Sequence, residues 1–112
     1  MAAVNVIIAK PGPLPIKVTA QIQSDGPAIV TLAGSVWSTT PNQMIGVALL
    51  IDGQRPPITA SIFSNGPSTH RAVVPVSVPY TFTFGQHTFE LAPATGATTS
   101  DGNDFFNVSV QY

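Results

Sequence analysis

Hydrophobic and polar residues alternate with a period of two over much of the chain. In residues 16–22 every second side chain is apolar, and polar side chains such as Lys17 stand between them. Residues 106–112 alternate aromatic or valine side chains with polar ones in the same way. Successive side chains of a strand point to opposite faces of a sheet, so this period predicts half-buried strands. No segment sustains the apolar spacing of an amphipathic helix.

Eleven prolines and nine glycines divide the alternating pattern into short segments. The strands predicted between these breakers are residues 4–9, 16–22, 28–38, 43–51, 58–64, 72–78, 80–84, 85–91 and 106–112. Proline cannot donate to a sheet ladder, so Pro75 and Pro79 confine their stretch to a sheet edge or a bulge. About eight or nine strands favour an all-β fold, a two-sheet antiparallel β-sandwich of the jelly-roll type. We expect residues 1–112 to form a single domain, because no linker or internal repeat interrupts them.

The composition predicts a surface with few charges. Only 8% of the residues are charged, and 44% are hydrophobic, whereas about 25% of the residues in a typical globular domain are charged. Thr, Ser, Asn and Gln must therefore cover most of the exterior. The cores of subunit interfaces show the same depletion of charge. We expect the chain to form a homo-oligomer.

The charge balance and the apolar segments bear on other partners. The formal net charge is −1, and the four basic residues are scattered and form no basic stripe. Nucleic-acid binding is therefore not expected. No apolar stretch approaches the roughly 18 to 20 residues of a membrane span, and we expect a soluble protein with no membrane partner. Residues 1–10 have no basic region before their apolar run, so no secretory signal is expected and the compartment stays open.

Four segments occur in an order known from one protein family. They are Gly34-Ser35-Val36-Trp37, Ile51-Asp52-Gly53, Gly85-Gln86-His87-Thr88-Phe89-Glu90-Leu91 and Asp104-Phe105-Phe106-Asn107-Val108-Ser109-Val110. In this order, over about residues 28–112, the chain resembles the C1q and tumour-necrosis-factor-like jelly roll. The resemblance implies a homotrimer that recognises its partner through loops or subunit clefts. It implies no particular ligand.

The densest group of oxygen-bearing side chains lies just before the last predicted strand. Asp101, Asn103 and Asp104 stand within residues 100–104, and calcium prefers several carboxylate and amide oxygens from one loop. Calcium is therefore the candidate ion for this segment. The alternative is an ordinary turn, because the spacing is not that of an EF-hand and Asp-Gly pairs form common turns.

Two histidines are candidates for a zinc site or an acid–base site, because imidazole both binds metal and titrates near neutral pH. The carboxylates considered as their partners are Asp52, Glu90 and Asp104. His87 shares a strand face with Phe89, which favours a partly buried, hydrogen-bonded side chain. His70 stands beside Arg71 and is expected at the surface.

Large aromatic side chains supply the remaining candidates for ligand contact. Trp37, Tyr80 and Tyr112 are able to stack on sugar faces, and with His70 and Arg71 they form the predicted ligand-binding set. Packing in the core is the alternative for Trp37, since large aromatic residues commonly fill sandwich interiors. Tyr112, on the closing strand, is a candidate for a subunit interface.

Catalysis is not expected. The chain has no cysteine and no Gly-x-Ser-x-Gly elbow, and its five acidic residues make a pair of catalytic carboxylates hard to assemble. The leading hypothesis is a non-catalytic binding and assembly module, without an obligatory cofactor, that forms a trimer and recognises a carbohydrate or a surface receptor through its loops. The second is a structural subunit of a virion, a phage appendage or another multimeric scaffold. The third is a small metal-dependent enzyme.

Overall fold

The computed structural model describes residues 3–112; Met1 and Ala2 lie outside the described residues. Its strands are β1 (Val4–Pro11), β2 (Ile16–Ile22), β3 (Gly26–Val36), β4 (Gln43–Ile51), β5 (Ile58–Ser64), β6 (Arg71–Ala72), β7 (Val76–Phe82), β8 (Gly85–Pro93) and β9 (Phe105–Gln111). Within residues 3–112 no helix forms, and so none that could cross a membrane.

The strands form two antiparallel sheets. In the five-stranded sheet β9 lies between β1 and β3, and the other edge of β3 pairs with β7 and then with the short β6. The four-stranded sheet has the order β2-β8-β4-β5. The pairs are nested along the chain: β4 with β5, β3 with β7, β2 with β8 and β1 with β9. This nesting is that of a jelly roll and confirms both the predicted fold class and the fold that the family resemblance implies.

The core lies between the inner faces of the two sheets, as the period-two pattern predicted. In β2 the ends of the apolar face, Ile16 and Ile22, are buried while Lys17 is exposed. In β9 the inward side chains from Phe106 to Val110 are fully buried. Strands such as β2 and β9 thus contribute one apolar face, whereas β4 is buried on both faces from Ile45 to Ile51. Removal of this apolar surface from water stabilises the sandwich by about 25 cal/mol for each Å² buried.

The stretch around Pro75 and Pro79 differs from the prediction. Two strands, 72–78 and 80–84, were expected to meet at Pro79; instead β7 runs through Pro79, and the break falls between Ala72 and Val76. Pro79 fits inside β7 because β7 pairs on one side only, with β3, and the missing N–H removes no ladder bond. The prediction of an edge position is therefore confirmed, whereas the predicted boundary is wrong.

The loop between β8 and β9, residues 94–104, is anchored along β4. Gly46 donates its N–H to Thr98 Oγ1 at 3.1 Å and accepts the N–H of Ala94 at 2.9 Å. Thr95 Oγ1 donates to the carbonyl of Met44 at 2.8 Å. A Cβ on Gly46 would lie 2.4 Å from the carbonyl oxygen of Ala60, so the close approach requires glycine. These contacts fix the path of the loop that carries Asp101 and Asp104.

The sandwich has two ends, which we name after one residue of each. The Trp37 end carries the β1–β2, β3–β4, β5–β6 and β8–β9 connections. The Asp52 end carries the β2–β3, β4–β5 and β7–β8 connections. Each end holds one histidine hydrogen-bonded to one aspartate, His70 with Asp104 and His87 with Asp52.

Candidate functional site

Asp104 is the anchor of the Trp37 end. It stands one residue before β9, and its side chain has no solvent exposure. Its Oδ1 accepts hydrogen bonds from His70 Nδ1 at 2.7 Å and from Ser35 Oγ at 2.8 Å, and its Oδ2 accepts the N–H of Asp101 at 2.9 Å. The buried carboxylate is therefore compensated by three donors from three parts of the chain, as a buried charge requires.

Asp101 brings a second carboxylate to the same histidine. Its Oδ2 lies 3.8 Å from His70 Nε2, and the ligand atoms of His70, Asp101 and Asp104 all lie within 4.8 Å of one another. Asn103 donates its backbone N–H to Asp101 Oδ1 at 2.8 Å. Of the predicted calcium ligands, the structure thus brings Asp101 and Asp104 together, with His70 as the third member of the group in place of Asn103.

The two carboxylates change the acidity of His70. The hydrogen bond to Asp104 raises the pKa of His70 above 6.5, and the charges of Asp104 and Asp101 act in the same direction against partial desolvation. The His70 side chain is 37% exposed and that of Asp101 is 42% exposed. The outer edge of the histidine ring and the Asp101 carboxylate therefore face solvent side by side.

Trp37 packs behind the histidine. The two ring centroids are 5.7 Å apart, with 39° between the ring planes. Trp37 is half-buried, so the alternative of core packing is met only in part. Its indole Nε1 is buried without a hydrogen-bond partner. The backbone of Trp37 exchanges two hydrogen bonds with Thr99, at 2.9 and 2.7 Å, which ties the end of β3 to the β8–β9 loop.

The β1–β2 connection fixes the same loop from the opposite side. Ser100 Oγ accepts the N–H of Leu14 at 2.9 Å, and the Asp104 carbonyl accepts the N–H of Gly12 at 2.9 Å. A Cβ on Gly12 would lie 2.7 Å from the Asp101 carbonyl oxygen. The loop is therefore held by hydrogen bonds to two neighbouring segments, so its carboxylates are pre-positioned.

The predicted ligand-binding set is divided between the two ends. Arg71 follows His70 directly and lies in β6, opposite Val36 of β3, so it accompanies the Trp37 end. Tyr80 packs on Phe82 with ring centroids 4.7 Å apart, and Tyr112 Oη accepts the N–H of Gln23 at 3.5 Å. Both tyrosines lie toward the Asp52 end, half-buried against the core. They cannot share a ligand with Trp37, His70 and Arg71.

The histidine of the Asp52 end has both ring nitrogens occupied. His87 Nδ1 lies 2.5 Å from Asp52 Oδ2, and Nε2 lies 2.7 Å from the carbonyl oxygen of Thr83. Asp52 and Gly53 both have positive φ angles, 53° and 74°, in the tight turn that follows β4, which suits their Asp-Gly sequence. Asp52 Oδ1 also accepts the N–H of Thr88 at 2.8 Å. His87 is therefore the partly buried, hydrogen-bonded residue that its strand position predicted.

The protonation states at this end follow from those contacts. The hydrogen bond to Asp52 raises the pKa of His87 above 6.5, and the Thr83 carbonyl adds to the effect. Burial tends to raise the pKa of Asp52, but the hydrogen bonds from His87 and Thr88 outweigh it and lower that pKa below 3.8. Glu90, the third carboxylate considered, stands opposite Lys17 in the β2–β8 pair and joins neither histidine.

The Trp37 end is an open surface, since residues 3–112 enclose no pocket. Neither Ser35 nor the bond between His70 and Asp104 was singled out from the sequence. The sequence carries only a weak signal for these contacts. Ser35 at the end of β3 and His70 before β6 approach the Asp104 carboxylate because β6 and β9 flank β3.

No protein-family model matches the chain, and a search of curated proteins finds no match. Solved structures do match. Dimeric latent PorU from Porphyromonas gingivalis has a TM-score of 0.58 at 10% identity, over 98% of this chain and 12% of that one. The exo-beta-1,3-galactanase of Phanerochaete chrysosporium has a TM-score of 0.51 at 12% identity, over 99% and 26%. This chain thus spans only a small part of either protein.

Two smaller structures match over most of their length. The EclA C-terminal domain, described as a sugar-binding protein, has a TM-score of 0.50 at 18% identity, over 100% of this chain and 77% of that one. The globular domain of zebrafish complement 1qA has a TM-score of 0.45 at 13% identity, over 84% and 66%. At these identities the matches with TM-scores of 0.50 and above establish the fold alone, an all-β sandwich of two sheets, and leave the function to the residues of this chain.

Proposed function

We propose that this chain, taken as one domain, is a non-catalytic binding module that recognises carbohydrate at its Trp37 end. The observation that carries the proposal is the solvent-facing edge of His70 beside the Asp101 carboxylate, on a loop that hydrogen bonds hold in place. Trp37 packs against the His70 ring, and Arg71 follows His70 in the chain and lies opposite Val36 of β3. The surface formed by Trp37, His70, Arg71 and Asp101 is called the His70 surface below.

The chemistry of the His70 surface suits sugar hydroxyl groups. A hydroxyl both donates and accepts, and the surface offers a carboxylate acceptor, an imidazole edge and a guanidinium donor. Because the loop is already ordered, binding would cost little of the conformational entropy that a flexible loop loses. The sugar-binding EclA domain, which shares the fold, supports the ligand class by analogy.

A glycan array followed by NMR mapping tests the proposal. We expect a bound glycan to shift backbone signals around His70 and Asp101, and Asp101→Ala to weaken binding by about tenfold, the loss of one charge-assisted hydrogen bond. Asp25→Ala is the matched control, because Asp25 is an exposed acid whose Oδ1 accepts one backbone N–H, from Phe84, at the Asp52 end. An array without any bound glycan, or shifts confined to the Asp52 end, would contradict the proposal.

A protein receptor is the other ligand class for the same surface. Its binding would be expected to survive removal of all glycans from the receptor, whereas carbohydrate recognition would not. Enzymatic deglycosylation of a bound receptor therefore separates the two.

A second candidate function, assembly, is favoured by the outer face of the five-stranded sheet. The outward residues of β3 from Pro27 to Ala33, of β9 from Phe105 to Gln111 and of β7 from Ser77 to Thr81 are all uncharged. Val4 and Val6 of β1 are 63% and 57% exposed beside them. Depletion of charge marks the cores of subunit interfaces, so this face supports a homo-oligomer, with the trimer as its expected form and a multimeric scaffold as its role.

Light scattering over a range of protein concentrations tests the assembly. We expect a defined oligomer that Ile29→Lys dissociates, because Ile29 is 41% exposed near the middle of the neutral face. Thr19→Lys, on the outer face of β2, is the matched control with the same added charge. A wild-type monomer at every concentration would end the assembly candidate and leave the carbohydrate proposal intact.

A further inference from the structure

We propose that His70 and Asp101 bind a divalent transition-metal ion of the zinc class, through His70 Nε2 and Asp101 Oδ2, and that Asp104 positions His70 for this role. The proposal concerns the metal alone and does not depend on carbohydrate recognition. It stands on the orientation of the imidazole and on the distance between the two ligand atoms.

The orientation of the imidazole follows from Asp104. An ionised carboxylate only accepts hydrogen bonds, so the His70 nitrogen 2.7 Å from Asp104 Oδ1, which is Nδ1, is the protonated one. In the neutral ring the lone pair is then on Nε2, at the exposed edge that faces Asp101. Histidines that bind metals are commonly held in this way, with the other ring nitrogen donating to a carboxylate that fixes the tautomer.

The distance between the ligand atoms fits one small ion. Zinc binds imidazole nitrogen and carboxylate oxygen at about 2.1 Å each, so two ligands at a tetrahedral angle lie about 3.4 Å apart. His70 Nε2 and Asp101 Oδ2 are 3.8 Å apart. Asp101 is 42% exposed and is able to close the difference by a small side-chain rotation. Two coordination positions then remain for water or for oxygen atoms of a bound molecule.

The same contacts make calcium a poor occupant. A calcium ion takes six to eight oxygen ligands. Both oxygens of Asp104 are engaged by protein donors, and Asp101 Oδ1 accepts the N–H of Asn103. The group that remains, one imidazole nitrogen and one carboxylate oxygen, is the donor set of zinc and its neighbours.

Zinc titration of the 15N-labelled chain, with calorimetry, tests the proposal. We expect one Zn²⁺ per chain, with imidazole 15N shifts showing that Nε2 of His70 is unprotonated in the neutral ring before the metal is added. His70→Gln is expected to abolish saturable binding, and Asp101→Asn to weaken it about tenfold or more. Asp104→Asn is expected to weaken it by about 10- to 100-fold by releasing the tautomer.

His87→Gln provides the matched control, because both nitrogens of His87 already have partners. If Asp104→Asn does not fold, Asp101→Asn and the tautomer measurement on the wild-type chain still decide. Unchanged zinc affinity in His70→Gln, a proton on Nε2 in the neutral ring, or equal shifts with Ca²⁺ would each overturn the proposal.

Discussion

The Trp37 end and the Asp52 end each hold a histidine–aspartate pair, and the two pairs are buried in opposite ways. At the Trp37 end the aspartate, Asp104, has no exposure and its histidine, His70, is 37% exposed. At the Asp52 end the histidine, His87, is 10% exposed and its aspartate, Asp52, is 47% exposed. Both ends thus pair a histidine with an aspartate, but the exposed residue is the histidine at the Trp37 end and the aspartate at the Asp52 end.

The exchange decides what each pair is able to do. His87 lies between Asp52 and the Thr83 carbonyl, so neither nitrogen is left for a ligand, and the ring serves to close the turn after β4 against the start of β8. His70 uses one nitrogen on buried Asp104 and presents the other beside Asp101. A buried carboxylate therefore makes a histidine available for binding, whereas a buried histidine fastens the fold.

The largest expected effect comes from removing the buried carboxylate. Asp104→Ala leaves three donors without their acceptor, and we expect a loss of about 3 kcal/mol in the free energy of unfolding. Asp52→Ala removes an exposed acceptor, so we expect a loss of about 1 kcal/mol. Urea unfolding of both variants measures the difference. Equal losses would show that burial does not distinguish the two carboxylates.

For the histidines we expect the larger loss in the free energy of unfolding at the Asp52 end, the reverse of the order for the aspartates. His87→Ala removes a ring that packs edge-on against Phe82, at a centroid distance of 5.2 Å, and leaves a cavity there. We expect this change to cost about 2 kcal/mol, and His70→Ala to cost clearly less because its ring is more exposed. Thermal and urea unfolding of the two variants provide the test. A greater loss for His70→Ala would make His70 a structural residue and weaken the proposals built on it.

Strands such as β2 and β9 could be predicted from the sequence because each buries one face, and a period of two is visible locally. β4 is buried on both faces and shows a continuous apolar run, Ile45 to Ile51, instead. The predicted break at Pro79 failed for a tertiary reason: β7 pairs only with β3, and sequence alone does not locate this sheet edge, where a proline is tolerated. The Asp52-Gly53 turn could be predicted, since positive φ at two successive residues suits that pair.

The pairing of the histidines could not be predicted. His70 and Asp104 are 34 residues apart, and Asp52 and His87 are 35 apart, so nothing local distinguishes these pairs from the alternatives with Glu90. Ser35 is 69 residues from Asp104 and is brought to it by the order of β6, β3 and β9. The strand order therefore carries the information about the site, and it is set by long-range pairing.

The pH dependence of the free energy of unfolding is expected to show the stabilising role of the His87–Asp52 hydrogen bond. Its pKa in the folded chain is raised above 6.5, so its stabilising contribution is complete below about pH 6.5 and is lost as the pH rises through the folded-state pKa. The pKa of Asp52 is lowered below 3.8, so its contribution is present above that pH and is lost on further acidification. Tyr80, the other titratable group near Asp52, has a pKa raised by burial and by the Asp52 charge, and stays neutral in this range.

The measurement is urea unfolding of wild type and His87→Gln from pH 5 to pH 9, with NMR titration of both histidines. We expect the stability gap between the two proteins to narrow as the pH rises through the folded-state pKa of His87. Asp52→Asn should lower the pKa of His87 and remove most of this dependence, while leaving the titration of His70 unchanged. A gap that is constant with pH would contradict the assignment.

The smallest change in the free energy of unfolding is expected at Trp37, which packs behind the exposed His70. Trp37→Phe keeps an aromatic ring against His70 and removes an indole N–H that is buried without a partner, so the loss of packing is offset by the loss of an unsatisfied donor. We expect a change of less than about 1 kcal/mol, whereas Phe82→Leu, behind His87, should cost about 1 to 2 kcal/mol because Phe82 is only 2% exposed and contacts three other rings. Urea unfolding of the two variants compares the rings directly. A larger loss for Trp37→Phe would mean that the indole nitrogen has a partner in solution, and that the Trp37 end is held as firmly by its aromatic ring as the Asp52 end is.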